Sequence, residues 1–210
     1  MVPPCRWSLL LAVALVATPA LADPVLQMVG THSLFMKDNP LYPGSRKFSF
    51  NVRSKDAPPE HQAHAPLPGT EGDPTADGAS GGGGLLVVYN SAGSGESFTV
   101  PLPVDQWRVG GDPAGEFRYV FASTPPVWKV YVKGHKISIR GGKGTWGYTL
   151  DEPSQGSIAV RLTLGTGITW CSDAQPHAAG EPPSSADYDR PNKFKALRLQ
   201  PAAAECPPLP

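Results

Sequence analysis

From residue 85 to about residue 170 the chain repeats one pattern: a few residues of apolar alternation, a turn signal, then alternation again. Residues 97–102 set Phe98, Val100 and Leu102 on one side, 116–121 set Phe117, Tyr119 and Phe121, and 145–150 set Trp146, Tyr148 and Leu150. Residues 157–164 are the clearest case, with Ile158, Val160, Leu162 and Leu164 alternating against Ser157, Ala159, Arg161 and Thr163. Residues 85–89 form an apolar run, and 127–133 and 136–140 flank a two-residue turn. A period of two sends successive side chains to opposite faces of a strand, and no 11-residue window in this stretch has a helical period. Short strands punctuated this regularly predict an all-β, β-sandwich-like antiparallel domain.

The rest of the chain divides around that core (85–170). Residues 23–53 supply N-terminal strands at 25–29 and 46–53, the second with Phe48, Phe50 and Val52 on one face. Residues 54–84 hold five Pro and seven Gly, end in four consecutive Gly, and have no apolar periodicity. That composition reads as a long, flexible Gly/Pro-rich internal linker. Residues 171–210 form a Pro/Ala-rich C-terminal segment with one further strand expected at 194–199.

Residues 1–22 read as a signal peptide: Arg6, then an apolar core from Leu9 to Ala17, the breaker Pro19, and Ala20-Leu21-Ala22 before a cleavage at Asp23. The apolar core is too short to span a bilayer, and no later run of 18 apolar residues occurs, so no transmembrane segment is expected after cleavage. The expected location is exported: periplasm, outer cell surface or secreted. Cleavage removes Cys5 and leaves Cys171 and Cys206. In an oxidising compartment that pair reads as one disulfide closing a loop of about 35 residues, worth roughly 4 kcal/mol by chain entropy; two free thiols are the alternative. Losing Arg6 lowers 18 Lys+Arg to 17 against 18 Asp+Glu. A balance so near zero argues against a general nucleic-acid binder.

The stretches 88–96 (VYNSAGSGE), 140–143 (RGGK), 147–156 (GYTLDEPSQG) and 161–167 (RLTLGTG) followed by Trp170-Cys171 resemble a family of secreted bacterial β-rich proteins of unknown function. The likeness covers most of the mature chain, including Arg46-Lys47 and the GDPT of 72–75. It implies a bacterial origin and a compact β domain, and it implies no activity, cofactor or site.

Motifs for catalysis are weak. Gly78-Ala79-Ser80-Gly81-Gly82 matches the nucleophile-elbow pattern but lacks the strand before and helix after that strain such a turn. The glycines at 142, 144 and 147 match a dinucleotide fingerprint with no helix to hold a pyrophosphate. Asp151-Glu152 reads as a polar turn ahead of Pro153, and His61 and His64 lack a third metal ligand in a defined place. No catalytic residue, metal ligand or cofactor is assigned. Trp128, Trp146 and Trp170 sit where strands bury them, which leaves Trp107 as the candidate exposed aromatic for sugar stacking.

One constellation remains. From Phe117 to Leu150 there are six basic residues and no acid. A type II′ turn at Gly134-His135 sets the register: Lys133 opposite Lys136, Tyr131 opposite Ser138 and Lys129 opposite Arg140, with Val130–Ile139 and Val132–Ile137 on the other face. Like charges directly opposite destabilise a sheet, so Lys129, Lys133, Lys136 and Arg140 are the candidate anion-binding residues. Their counterpart is either an external polymer, such as an anionic polysaccharide of the cell envelope, or internal acids such as Asp73 and Asp77. A solvated hairpin whose lysines deter edge pairing is the plain alternative. The expected function is a non-enzymatic binding or structural module with possible weak anionic-polymer binding; an extracytoplasmic hydrolase with an unrecognised site is the alternative.

Overall fold

The computed structural model describes residues 24–77, 81–111, 116–177, 188–197 and 200–210. The leader, Gly78-Ala79-Ser80 of the elbow-like motif, and residues 198–199 of the last expected strand lie outside the described residues. The strands are β1 (Val25–Met28), β2 (Ser33–Lys37), β3 (Lys47–Arg53), β4 (Gly84–Asn90), β5 (Ser97–Leu102), β6 (Trp107–Gly111) and β7 (Phe117–Ala122). They continue with β8 (Val127–Lys133), β9 (Lys136–Gly142), β10 (Ile158–Leu164), β11 (Ile168–Ala174), β12 (Asp189–Arg190) and β13 (Lys193–Leu197). Two sheets form, ordered β1-β11-β10-β4-β5 and β12-β13-β2-β3-β9-β8-β7-β6. All pairings are antiparallel except that of β1 with β11. The expected all-β, sandwich-like fold is the observed one.

The alternating apolar sets meet between the sheets. Leu86, Val88, Val160 and Leu162 from one sheet and Phe48, Phe50, Ile137, Ile139, Val130 and Tyr119 from the other belong to one continuous core. Each such side chain, fully withdrawn from water, contributes about 1.5–3 kcal/mol before chain entropy is counted. The hairpin register holds at every expected pair, and Gly134 is the positive-φ residue of its turn.

Four expectations change. Strands β2, β6, β11 and β12 were not anticipated, and β11 runs across the expected core boundary at residue 170. Residues 145–150 form no strand. Trp146, Tyr148 and Leu150 are nonetheless buried, and side chains rather than a ladder hold their backbone: Arg46 donates to the Trp146 carbonyl at 2.9 Å, pairs with Asp38 at 2.7 Å, and Asp38 accepts from the Leu150 N–H. The fourth correction concerns the linker. Its described residues pack against the domain as a strap running from β3 past the β8–β9 turn and β1 to the β10–β11 turn. Ala65 donates to the Gly134 carbonyl and Thr166 to that of Glu71, while Ala63 and Asp73 are buried. The reason is backbone satisfaction: Ser54 Oγ accepts the Ala63 N–H, and the Asp73 carboxylate accepts the N–H groups of Gly69 and Thr75 and the Thr75 hydroxyl.

Cys171 and Cys206 form the expected disulfide, with Cα atoms 5.9 Å apart. It lays the C-terminal segment over the outer face of the five-stranded sheet. There Tyr89 donates to the Pro207 carbonyl at 2.6 Å, and Arg161 donates to both Tyr89 Oη and Pro207 O.

Candidate functional site

The two sheets have opposite outer faces: the C-terminal segment covers part of that of the five-stranded sheet, and that of the eight-stranded sheet is basic. In the eight-stranded sheet Phe194, Met36, Phe48 and Ile139 point inward, so the residues between them point out. Following the registers from strand to strand, the outward positions carry Arg190 on β12, Lys193 and Lys195 on β13, Lys37 on β2, Lys47 and Arg53 on β3, and Lys136 and Arg140 on β9. They continue with Lys129 and Lys133 on β8, Arg118 on β7 and Arg108 on β6. These are twelve of the 18 Lys and Arg of the whole chain, none of them buried, and no outward position of this sheet is acidic. The four candidate residues of the hairpin are thus one third of a basic surface.

The cations also oppose one another directly. Arg53–Lys136–Lys133–Arg118 run across four strands, Arg190–Lys193–Lys37–Lys47 across another four, and Lys129 faces Arg140. Each of these seven pairs is unfavourable by a few tenths to about 1 kcal/mol. Among the described residues, two sets of contacts temper this repulsion. Glu116, one residue before β7, pairs with Lys133 at 3.0 Å. Arg140 donates to Ser49 Oγ at 2.7 Å and Asn51 Oδ1 at 3.2 Å, both neutral acceptors. Of the two acids expected to cover the stripe, Asp77 is exposed, and Asp73 is buried in the strap with its carboxylate bound to Gly69 and Thr75. Burial would raise the Asp73 pKa, but those hydrogen bonds outweigh it and hold the group below the usual aspartate value.

Aromatic rings interleave with the cations. The Lys136 ammonium lies 5.8 Å from the Tyr131 ring centre, that of Lys143 5.6 Å from Trp128, and those of Lys193 and Lys195 4.5 and 4.7 Å from Tyr188. Two shallow depressions adjoin at Arg140. One, of about 230 Å³, is lined by Lys129, Tyr131, Lys136, Ser138 and Arg140; the other, of about 290 Å³, has Phe35 and Trp128 among its walls.

The aromatic expected at the surface is the wrong one. Trp107 is only 5% exposed: its ring packs on Phe121 with centres 5.4 Å apart, and its indole N–H donates to the Leu102 carbonyl. Trp128, expected in the core, is half-buried on the outer face, because β8 shifts register between Val127 and Lys129 and turns it outward.

The remaining motifs scatter. His61 lies by the Met28 carbonyl, while His64 stacks edge-on against His135 with centres 4.7 Å apart, so the two do not share a site. The glycine-rich 142–147 stretch is the end of β9 and a loop; the Lys143 N–H donates to the Arg46 carbonyl, and no helix follows. Asp151 and Glu152 do meet a third carboxylate, Glu96, with oxygens of all three within 4.8 Å. Burial, aided by Glu152 and Asp151, raises the Glu96 pKa against the two hydrogen bonds it accepts from Thr149. Gln155 donates to Glu152 and accepts from Tyr148, so the group is tied into the sandwich end as a polar network.

No family model, curated protein or solved structure matches the chain. The basic face therefore stands on its own chemistry.

Proposed function

We propose that the protein works outside the cytoplasm as a non-enzymatic binding or structural module, and that the outer face of its eight-stranded sheet holds an anionic polymer. The observation that carries this reading is the segregation of charge: a chain with equal numbers of acids and bases sets twelve cations on one sheet face and no acid among them. A fold selected for stability alone would not oppose like charges across seven strand pairs. An extended anion would neutralise all of them together, and the eight strands, about 4.8 Å apart, offer a width of more than 30 Å for several polymer units. The disulfide and the leader pattern support an oxidising, extracytoplasmic setting, as does the resemblance to secreted bacterial β-rich proteins.

The test is retention on a heparin-type resin over a salt gradient. The wild type should bind at low salt and elute as exposed charges are screened over about 8 Å at physiological ionic strength. Lys129→Glu with Lys136→Glu, on two adjacent strands of that face, should elute in the wash with a melting temperature no lower than the wild type's, since each new carboxylate faces a cation. Identical elution of the two proteins would reject the reading. N-terminal sequencing of the exported form should begin at Asp23.

A further inference from the structure

We infer that the groove walled by Phe35 and Trp128 is a sugar-ring subsite, so that the polymer on the basic face is an acidic polysaccharide whose pyranose units carry carboxylate or sulfate. This rests on the reading of that face as an anion-binding surface. A basic sheet alone accepts any polyanion; the groove adds what a ringless polymer has no use for. Trp128 is the one accessible tryptophan among the described residues, since Trp107, Trp146 and Trp170 are 5%, 2% and 1% exposed. It reaches the surface only because β8 breaks register beside it, a local irregularity of the kind that re-aims a side chain. Phe35 comes from β2, two strands beyond β9, so the groove is assembled across the sheet.

Size and chemistry fit a single ring. The groove measures about 290 Å³, at the lower end of small-molecule sites. The apolar C–H face of a pyranose matches an indole or phenyl face. Lys47, Arg140 and Lys143 line the same groove, and an acid group on the ring meets the planar guanidinium of Arg140, which already faces outward through its contacts to Ser49 and Asn51. Lys143 covers the indole at 5.6 Å, and ring entry exchanges that ammonium–indole contact for an ammonium–acid one. Nucleic acid is the competing polymer, because bases also stack on aromatic rings. The chain's equal numbers of acids and bases argue against a general nucleic-acid binder, and the disulfide fits an oxidising compartment.

The disulfide-bonded protein is titrated at fixed low salt with polygalacturonate, inorganic polyphosphate and poly(dT) of similar length, as wild type, Trp128→Ala and Phe35→Ala. Trp128→Ala should weaken polygalacturonate about tenfold and leave polyphosphate within about twofold, with Phe35→Ala acting in the same sense. On the wild type, polygalacturonate should shield tryptophan from acrylamide quenching and polyphosphate should not, a readout that needs no variant to fold. Equal effects on both polymers, or no effect on either together with unchanged quenching, would overturn the subsite. So would poly(dT) binding tighter than polygalacturonate and weakening with Trp128→Ala, which would give the groove to bases. Failure of the wild type to bind any of the three would remove the anion-binding reading itself, a result distinct from loss of ring selectivity alone.

Discussion

The outer face of the five-stranded sheet and that of the eight-stranded sheet are treated in opposite ways by the same chain. On the first, the C-terminal segment lies over Tyr89, Val87 and Ala159, fastened by the Cys171–Cys206 disulfide and by Arg161 and Tyr89 reaching Pro207. On the second, seven like-charged pairs face one another across the strands, with Glu116 set against Lys133 at one of them. A covered face is stabilised by what covers it, whereas a bare, self-repelling face gains its stabilisation only when a counter-charge arrives. Substitution should therefore lower stability on the first face and lower binding on the second.

The largest effect is expected at the fastening. Cys171→Ser with Cys206→Ser should lower unfolding stability in urea by about 2–4 kcal/mol and expose residues 200–210 to protease. If the midpoint is unchanged, the two faces do not differ as stated. Next comes the strap between the sheets. Asp73→Ala strands three donors and should cost about 1–3 kcal/mol at neutral pH. Because the folded-state pKa of Asp73 is lowered, its contribution is complete above the unfolded value of about 4 and is lost as pH falls through the lower folded value. Melting curves of wild type and variant should accordingly converge in strong acid. A smaller loss, about 1 kcal/mol, should follow Tyr89→Phe, which removes the hydroxyl between Arg161 and Pro207 and nothing from the core. The smallest change is on the bare face, and its sign is reversed. Lys37→Thr with Lys47→Thr should raise the melting temperature slightly, by the equivalent of up to about 1 kcal/mol, while lowering the salt needed to elute the protein from an anionic resin. A stability loss there would mean that these lysines have partners within the chain.

The local rules made much of this visible beforehand. Residues 97–102 and the β8–β9 register from Lys129–Arg140 to the turn follow from alternation and from one glycine at that turn. Alternation also gave the right inward set at 145–150, but burial and strand pairing are separate facts. Arg46 and Asp38, a hundred residues away, do there what a neighbouring strand would. The strap was hidden because composition reports on apolar burial alone, and its backbone is satisfied by Ser54 and Asp73. The Asp73-Pro74-Thr75 turn was the available signal. Trp128 was misplaced because a β-bulge inverts the inside–outside parity that alternation assumes, and Trp107 because it opens β6, a strand without an alternation signal, opposite the inward Phe121. The basic face was one third legible. Hairpin partners are sequence neighbours, but Lys193, Lys37 and Lys47 meet only through a strand order that brings residues 33–53 and 189–197 to the same sheet.

Strand β11 has a further consequence for how the molecule can be displayed. It pairs with β1, so the described N-terminal end at Val25 is stitched to it, and its Cys171 holds the tail at Cys206. Both ends of the described chain therefore emerge on the side of the five-stranded sheet. A tether at either end, whether a fusion partner, a surface linkage or a sensor chip, attaches the protein on the side away from its cationic sheet and leaves that sheet open to solution.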